Sequence, residues 1–274
     1  MEESEAVRVA EPAEAEFMHA MARLAPAKVQ HELGMAQARL GGGVALVMSR
    51  DPTGGYWNKA LGFGVTEPVT GDLVSQVLDF YRAHDGQGAV IQVAPSVLPD
   101  DWDDICAREG LVAGSVWVKL LRDAGPAAPA TTDLRVAEVG ADDARAWAEV
   151  LCRGFGMPLG PLVDMVAGVV VPGSPFVPYA AWDGDSLVAS ASLMLADGVA
   201  AFCGAATLPE ARGRGAQSAF FEHRVNRAAQ AGCRWLSAET WKPTAEAPHN
   251  PSLANMQRAG FDVVYERTNW TWRA

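Results

Sequence analysis

The stretch "TLPEARGRGAQSAFF", residues 207–221, sets Arg212 and Arg214 among Gly213 and Gly215 in a chain whose formal net charge is −11. Small residues precede it and a helix-like segment follows. A strand that ends in a glycine-containing turn and enters a helix presents several free backbone N–H groups to one spot. The helix dipole is positive there, so the turn suits an anion such as phosphate. Arg224 and Arg227 add positive charge, and within 212–227 only Glu222 opposes them. Taken alone, an Arg/Gly turn fits a plain surface loop as well as an anion cradle. The flanking elements decide.

Upstream, "DLRVAEV" (133–139) alternates like a strand, and 141–156 has helical spacing at Ala144, Trp147, Val150 and Leu151. A weaker helix spans 158–170. Three strand-like runs follow, "PYAAWD", "LVASASLML" and "VAAFCGAAT", joined by the short connections "GDS" and "ADG", a β-meander ending near Thr207. Downstream, 215–232 reads as a helix stopped by Gly232. "CRWLSAET" (233–240) reads as a buried strand. A helix over 250–261 has Asn250 as N-cap and Pro251 at its first position, and two short strands close the chain.

The run "RDAGPAAPATTD" (122–133) has no periodicity and reads as a linker. Before it, the same rhythm recurs: a helix over 13–32, strands near 35–40, 44–48 and 58–63, a helix at 70–84, a strand at 89–94, a helix near 99–108 and a strand "GSVWVKLL". This looks like a diverged internal copy. Residues 1–12 read as an acidic tail.

At 274 residues the chain has ample apolar content for its core, but no apolar run reaches a membrane span. The start lacks a signal-peptide pattern, so a cytoplasmic protein is the simplest expectation. Cys106, Cys152, Cys203 and Cys233 show no paired spacing and the five histidines no ligand spacing, so no metal is expected. The acidic surface disfavours nucleic acid and anionic membrane, and suits a cationic or neutral small molecule.

The β-meander, the turn, and a helix, strand and helix ending in "AGF" resemble the GCN5-related N-acetyltransferase (GNAT) superfamily. "RGRGAQ" is similar to its acyl-CoA motif Arg/Gln-x-x-Gly-x-Gly/Ala: Arg212 and Gly215 match, and Gln217 departs. The resemblance covers about 133–274. It implies an α/β fold with a mixed sheet in two tandem GNAT-like domains, a degenerate one at 13–122, a linker at 123–132 and the acyltransferase domain at 133–274. The single acyl-CoA site would lie in the second, because Glu67, Pro68 and Asp72 spoil the corresponding turn of the first.

The same resemblance implies that the pyrophosphate of acetyl-CoA, or another acyl-CoA, rests on Gly213, Arg214, Gly215, Ala216, Gln217 and Ser218 beside Arg212. Ala205, Ala206 and Thr207 would pair with the pantetheine arm, and Asn255 would face the cofactor or cap its helix. An amine of a small molecule would attack the thioester directly. Glu239 would be the base, or only a binder of the ammonium, and His249 would touch the arm or move a proton, or be simply an exposed loop histidine. Where many relatives carry a proton-donating tyrosine, this sequence has Met256, which leaves a CoA-binding sensor or interaction protein as the alternative. A transferase using aminoacyl-tRNA is disfavoured by the charge. Tyr56, Trp57 and Asn58 are open to pocket or core roles. The implied assembly is a monomer or homodimer.

Overall fold

A computed structural model describes residues 2–274. Among them lie eight α-helices and eleven strands, all in one sheet. The first half runs α1 (Glu3–Leu24), α2 (Ala27–Leu33), β1 (Met35–Leu40), β2 (Gly43–Met48), β3 (Lys59–Leu61), α3 (Gly71–Ala83), β4 (Gly88–Gln92), α4 (Trp102–Glu109) and β5 (Val112–Asp123). The second runs β6 (Arg135–Glu138), α5 (Ala144–Gly154), α6 (Pro161–Ala167), β7 (Phe176–Asp183), β8 (Ser186–Ala196) and β9 (Val199–Thr207). It closes with α7 (Ala216–Gln230), β10 (Trp235–Trp241), α8 (Pro251–Arg258) and β11 (Asp262–Arg273). No helix among the described residues is long and apolar enough to cross a membrane.

Local chemistry accounts for the element ends. Thr70 caps α3 by accepting the Leu73 N–H at 3.2 Å, ahead of a stripe at Leu73, Val74, Val77, Leu78 and Tyr81 spaced for one buried helical face. Asn250 caps α8 in the same way, accepting from the Leu253 N–H at 3.1 Å, with Pro251 in the first turn, where no N–H is missed.

The sheet order is β1-β2-β3-β4-β11-β5-β10-β9-β8-β7-β6. β3 pairs antiparallel with β2 and parallel with β4, as β9 does with β8 and β10. α3 follows β3 as α7 follows β9, so the internal copy is real. The last strands are exchanged: β5 from the first half pairs with β10, β11 from the second pairs with β4, and β5 and β11 pair at the centre. A single sheet therefore runs through both halves.

Three expectations are corrected. Residues 3–12 are no tail but the first turns of α1, with Ala6, Val7, Ala10 and Glu11 buried. The acids at Glu3 and Glu5 suit a helix N-terminus, and the chain carries Pro12 inside the helix. The helix expected over 13–32 is broken at Pro26, which begins α2. The two closing strands are one, β11, with register shifts at Val263/Tyr265 and Thr268/Trp270 that mimic a break in the alternation.

A buried ionic cluster binds the halves. Arg267 on β11 has no solvent exposure and donates to Glu11 at 2.7 and 2.8 Å, Glu14 at 2.6 Å and Glu239 at 3.0 Å. Lys119 on β5 donates to Glu14 and to Glu239, the latter at 3.4 Å. Tyr265 donates its hydroxyl to Glu11 at 2.6 Å. Helix α1 is thereby fixed across β5, β10 and β11. Arg267→Ala leaves buried Glu11 and Glu14 and partly exposed Glu239 short of a counter-charge and is expected to cost about 3–5 kcal/mol, read from equilibrium urea unfolding.

Candidate active site

β9 and β10 pair only where Val199–Ala201 meet Trp235–Ser237. Beyond that point β9 continues along β8 to Thr207, while β10 continues along β5 to Trp241. The two strands diverge and leave a V-shaped opening in the sheet. At its side β9 carries a bulge: Ala205 opposes Ala191 and Cys203 opposes Ser192, with Gly204 between them at φ +59°. Backbone groups of β9 are thus free to face the opening.

A cavity of about 880 Å³ passes through this opening. On one face it meets the N-terminus of α7 and α8; on the other, α1, α5 and the loop between β2 and β3. Alternation along β9 makes the two faces, with Ala200 and Phe202 packed toward α7 and Ala201 and Cys203 toward α1 and α5.

Most of the expected cofactor residues line this cavity: Ala205, Ala206, Thr207, Arg212, Gly213, Gly215, Ala216, Gln217, Ser218 and Asn255, with Met256 beside them. Arg214 does not. It turns away into exposed ion pairs with Asp133 and Asp183, both at 2.6 Å, so its side chain pins the turn to β6 and β7. Of the readings of His249, the structure gives the exposed loop histidine and not the site role: it lies on the loop before Asn250 and is not part of the lining.

The linker explains Gly215. At φ +86°, an added Cβ would collide with the Thr131 carbonyl oxygen. Thr132 donates its hydroxyl to the Arg214 carbonyl at 2.7 Å, and the Ala130 N–H donates to Glu222 at 2.8 Å. Linker and turn are one packed unit, and Glu222 is used up in it.

Arg224 on α7 also lines the cavity, buried, donating to the carbonyls of Phe220 at 3.1 Å and Ser192 at 3.3 Å. Its guanidinium lies 4.3 Å from the centre of the Phe202 ring, and burial pushes its pKa down to about 10.

On the other face the sequence missed the decisive partner. Glu239 lines the cavity with its side chain 17% exposed, beside Glu14 of α1, at 4%. The two environments drive the carboxyls apart. Burial pushes Glu14 up, but Arg267 and Lys119 outweigh it and hold it well below the usual carboxylate range. Burial and the neighbouring Glu14 charge raise Glu239, against Lys119, Lys59 and Arg267. Glu14 is the standing anion, and Glu239 is the one that takes up a proton. A signal for Glu14 existed: Val7, Glu11, Glu14, Met18 and Met21 share a helical stripe, and acids on an apolar stripe mark a buried charge site.

Tyr56, Trp57 and Trp117 also line this face. Asn58 does not; it is buried and accepts the Met48 N–H at 2.6 Å. In the first half, the equivalent end of β3 is packed: Gly62 lies against Ala15 of α1 and Gly64 against Val97, beside buried Phe63.

No protein-family model matches the sequence, and no curated protein matches it. Solved structures do. A tandem GNAT protein from the clavulanic acid biosynthesis pathway, solved without AcCoA, is 15% identical with TM-score 0.59, over 94% of this chain and 95% of that one. A GCN5-related N-acetyltransferase from Kribbella flavida is 17% identical with TM-score 0.58, over 91% and 94%. One from Sphaerobacter thermophilus is 12% identical with TM-score 0.58, over 86% and 74%. The chain has the GNAT fold in its tandem arrangement.

Gly215→Ala is expected to lose about 2 kcal/mol or more in thermal unfolding, from positive φ plus the linker collision. Gly213→Ala, whose Cβ meets nothing within 4 Å, is expected to lose only the roughly 1 kcal/mol of the backbone term.

Proposed function

From the tandem GNAT fold and this cavity, we propose that the protein is an acyl-CoA-dependent N-acyltransferase, moving acetyl or another acyl group to an amine of a small molecule. The observation that carries the reading is the single cavity joining the α7 N-terminus to Glu239 through the divergence of β9 and β10.

The backbone N–H groups of 213–218 and the positive end of α7 suit a pyrophosphate, with Arg212 as counter-charge. Free backbone groups of β9 suit the amides of a pantetheine arm, as an added strand would. Thr207 Oγ1, buried, lining the cavity and without a hydrogen-bond partner, is a further polar contact there. The packed end of β3 supports one acyl-CoA site, in the second half only.

The amine nitrogen attacks the thioester carbon, the C–N bond forms, and the C–S bond breaks. A β9 N–H at the bulge suits the oxygen that gains charge. The ammonium gives one proton to Glu239 before attack, the raised pKa making that carboxylate a better base than an ordinary one, and the second N–H proton leaves to solvent as the amide forms. Met256 has no proton to give, so the leaving thiolate, with a thiol pKa near ~8–9, departs unassisted and takes its proton from water. The cytoplasm is the location this reading carries, and a monomer or a homodimer would serve it.

Acetyl-CoA is expected to raise the melting temperature, and an amine panel to release free thiol. A shift without thiol release would favour a CoA-binding sensor, the reading that Met256 supports; no shift would overturn acyl-CoA binding. Glu239→Gln is expected to keep the shift while lowering turnover at pH 7 about 10²–10⁴-fold. The acid limb of the wild-type pH–rate profile should lie above the ordinary carboxylate range. Glu239 is faced by Glu14 from α1, Lys59 from β3, Lys119 from β5 and Arg267 from β11. Glu14→Gln removes the only anion among these, so the limb should move to lower pH.

A further inference from the structure

The cavity face opposite α7 is shared by the two halves: α5, α6 and Glu239 come from the second, while the first supplies Glu14 and Phe17 from α1, Tyr56 and Trp57 from the β2–β3 loop, and Trp117 from β5. Two buried polar atoms on this face have no hydrogen-bond partner, Glu14 Oε1 and Trp57 Nε1. Neither atom has accessible surface, so what the chamber presents to a ligand here is the Glu239 carboxylate and the aromatic rings. Arg267 and Lys119 engage only the Oε2 atoms of Glu14 and Glu239. Each carboxylate therefore keeps Oε1 unbonded. Arg267, Lys119 and Lys59 balance Glu11, Glu14 and Glu239 three to three, so what this face offers an ammonium is the unbonded, partly exposed edge of Glu239 rather than a net negative charge.

The rings divide the work differently. Lys59, which is not part of the lining, holds its ammonium 4.4 Å from the centre of the Tyr56 ring and 5.3 Å from that of Trp117. With a cation already on those π systems, what they offer the chamber is flat apolar surface and not a second cation site. An ammonium is directed to Glu239 and its body to the rings.

Resting on the acyl-transfer reading, we propose that the acceptor is a primary amine on a flat aromatic body. Its nitrogen lies at Glu239, and its ring lies among Phe17, Tyr56, Trp57 and Trp117. The first half of the chain thus supplies the rings that would hold the acceptor's body beside Glu239 of the second.

The test separates binding from chemistry. Calorimetry with tryptamine, spermidine and ethanolamine, without acyl-CoA, is expected to show tryptamine binding at least tenfold more tightly. Thiol release with acetyl-CoA is expected to rank the amines likewise by kcat/KM. Tyr56→Ala, at a half-exposed loop position where folding tolerates truncation, should raise KM for tryptamine about tenfold and leave KM for ethanolamine within twofold. Tight tryptamine binding with no thiol release from any amine keeps the acceptor class and overturns acyl transfer. Thiol release that spermidine or ethanolamine supports as well as tryptamine, or a Tyr56→Ala effect equal for all amines, overturns the acceptor class and keeps acyl transfer.

Discussion

One guanidinium, that of Arg267, ties together three carboxylates: the buried Glu11 and Glu14 of the first helix and Glu239 of β10 at the cavity wall. A buried arginine costs several kcal/mol of desolvation and is retained only where its partners return it. Here the return is architectural. The pairing fixes the first helix over the exchanged strands, and with it the wall of the cavity. The same charges set Glu14 and Glu239 in opposite protonation behaviour, so the element that holds the fold together also tunes the candidate base.

The duplication explains why there is one chamber and not two. Both halves have a middle strand antiparallel to one neighbour and parallel to the next. In the second half the parallel pair separates after Ala201 and Ser237, leaving a passage through the sheet. In the first, helix α1 and Val97 close against the strand end at Gly62 and Gly64. The helix that blocks one site is the helix that walls the other.

Much of this was legible in the sequence because the governing interactions are local. The meander, the RGRG turn, the Asn250-Pro251 helix start and the Arg212–Ser218 segment all follow from turn chemistry and periodicity within a few residues. What the sequence hid is non-local. The exchange of β5 and β11 leaves no mark, since a strand's pattern reports that it is buried and not by which strand. Two bulges in β11 broke its alternation and made one strand look like two. Arg214 and His249 share sequence neighbourhood with the site, but Asp133 and Asp183 claim the first and the α8 loop carries the second outward. Glu14 lies 225 positions from Glu239, and only the stripe of acids in an apolar face gave a hint of it. Gly215 stood out in the sequence as a motif match, and the structure adds a packing reason for a glycine there, the linker carbonyl that lies against it.

The central claim is that acyl donor and acceptor enter from opposite faces of the sheet and meet between β9 and β10. A crystal structure with a bisubstrate analogue, coenzyme A joined through its sulfur and an acetyl bridge to the nitrogen of tryptamine, tests it directly. The account predicts one molecule threaded through the opening, its pyrophosphate on residues 213–218, its nitrogen at Glu239 and its ring against Tyr56 and Trp57. An analogue lying wholly on one face of the sheet, or with its pyrophosphate away from the α7 N-terminus, would contradict it.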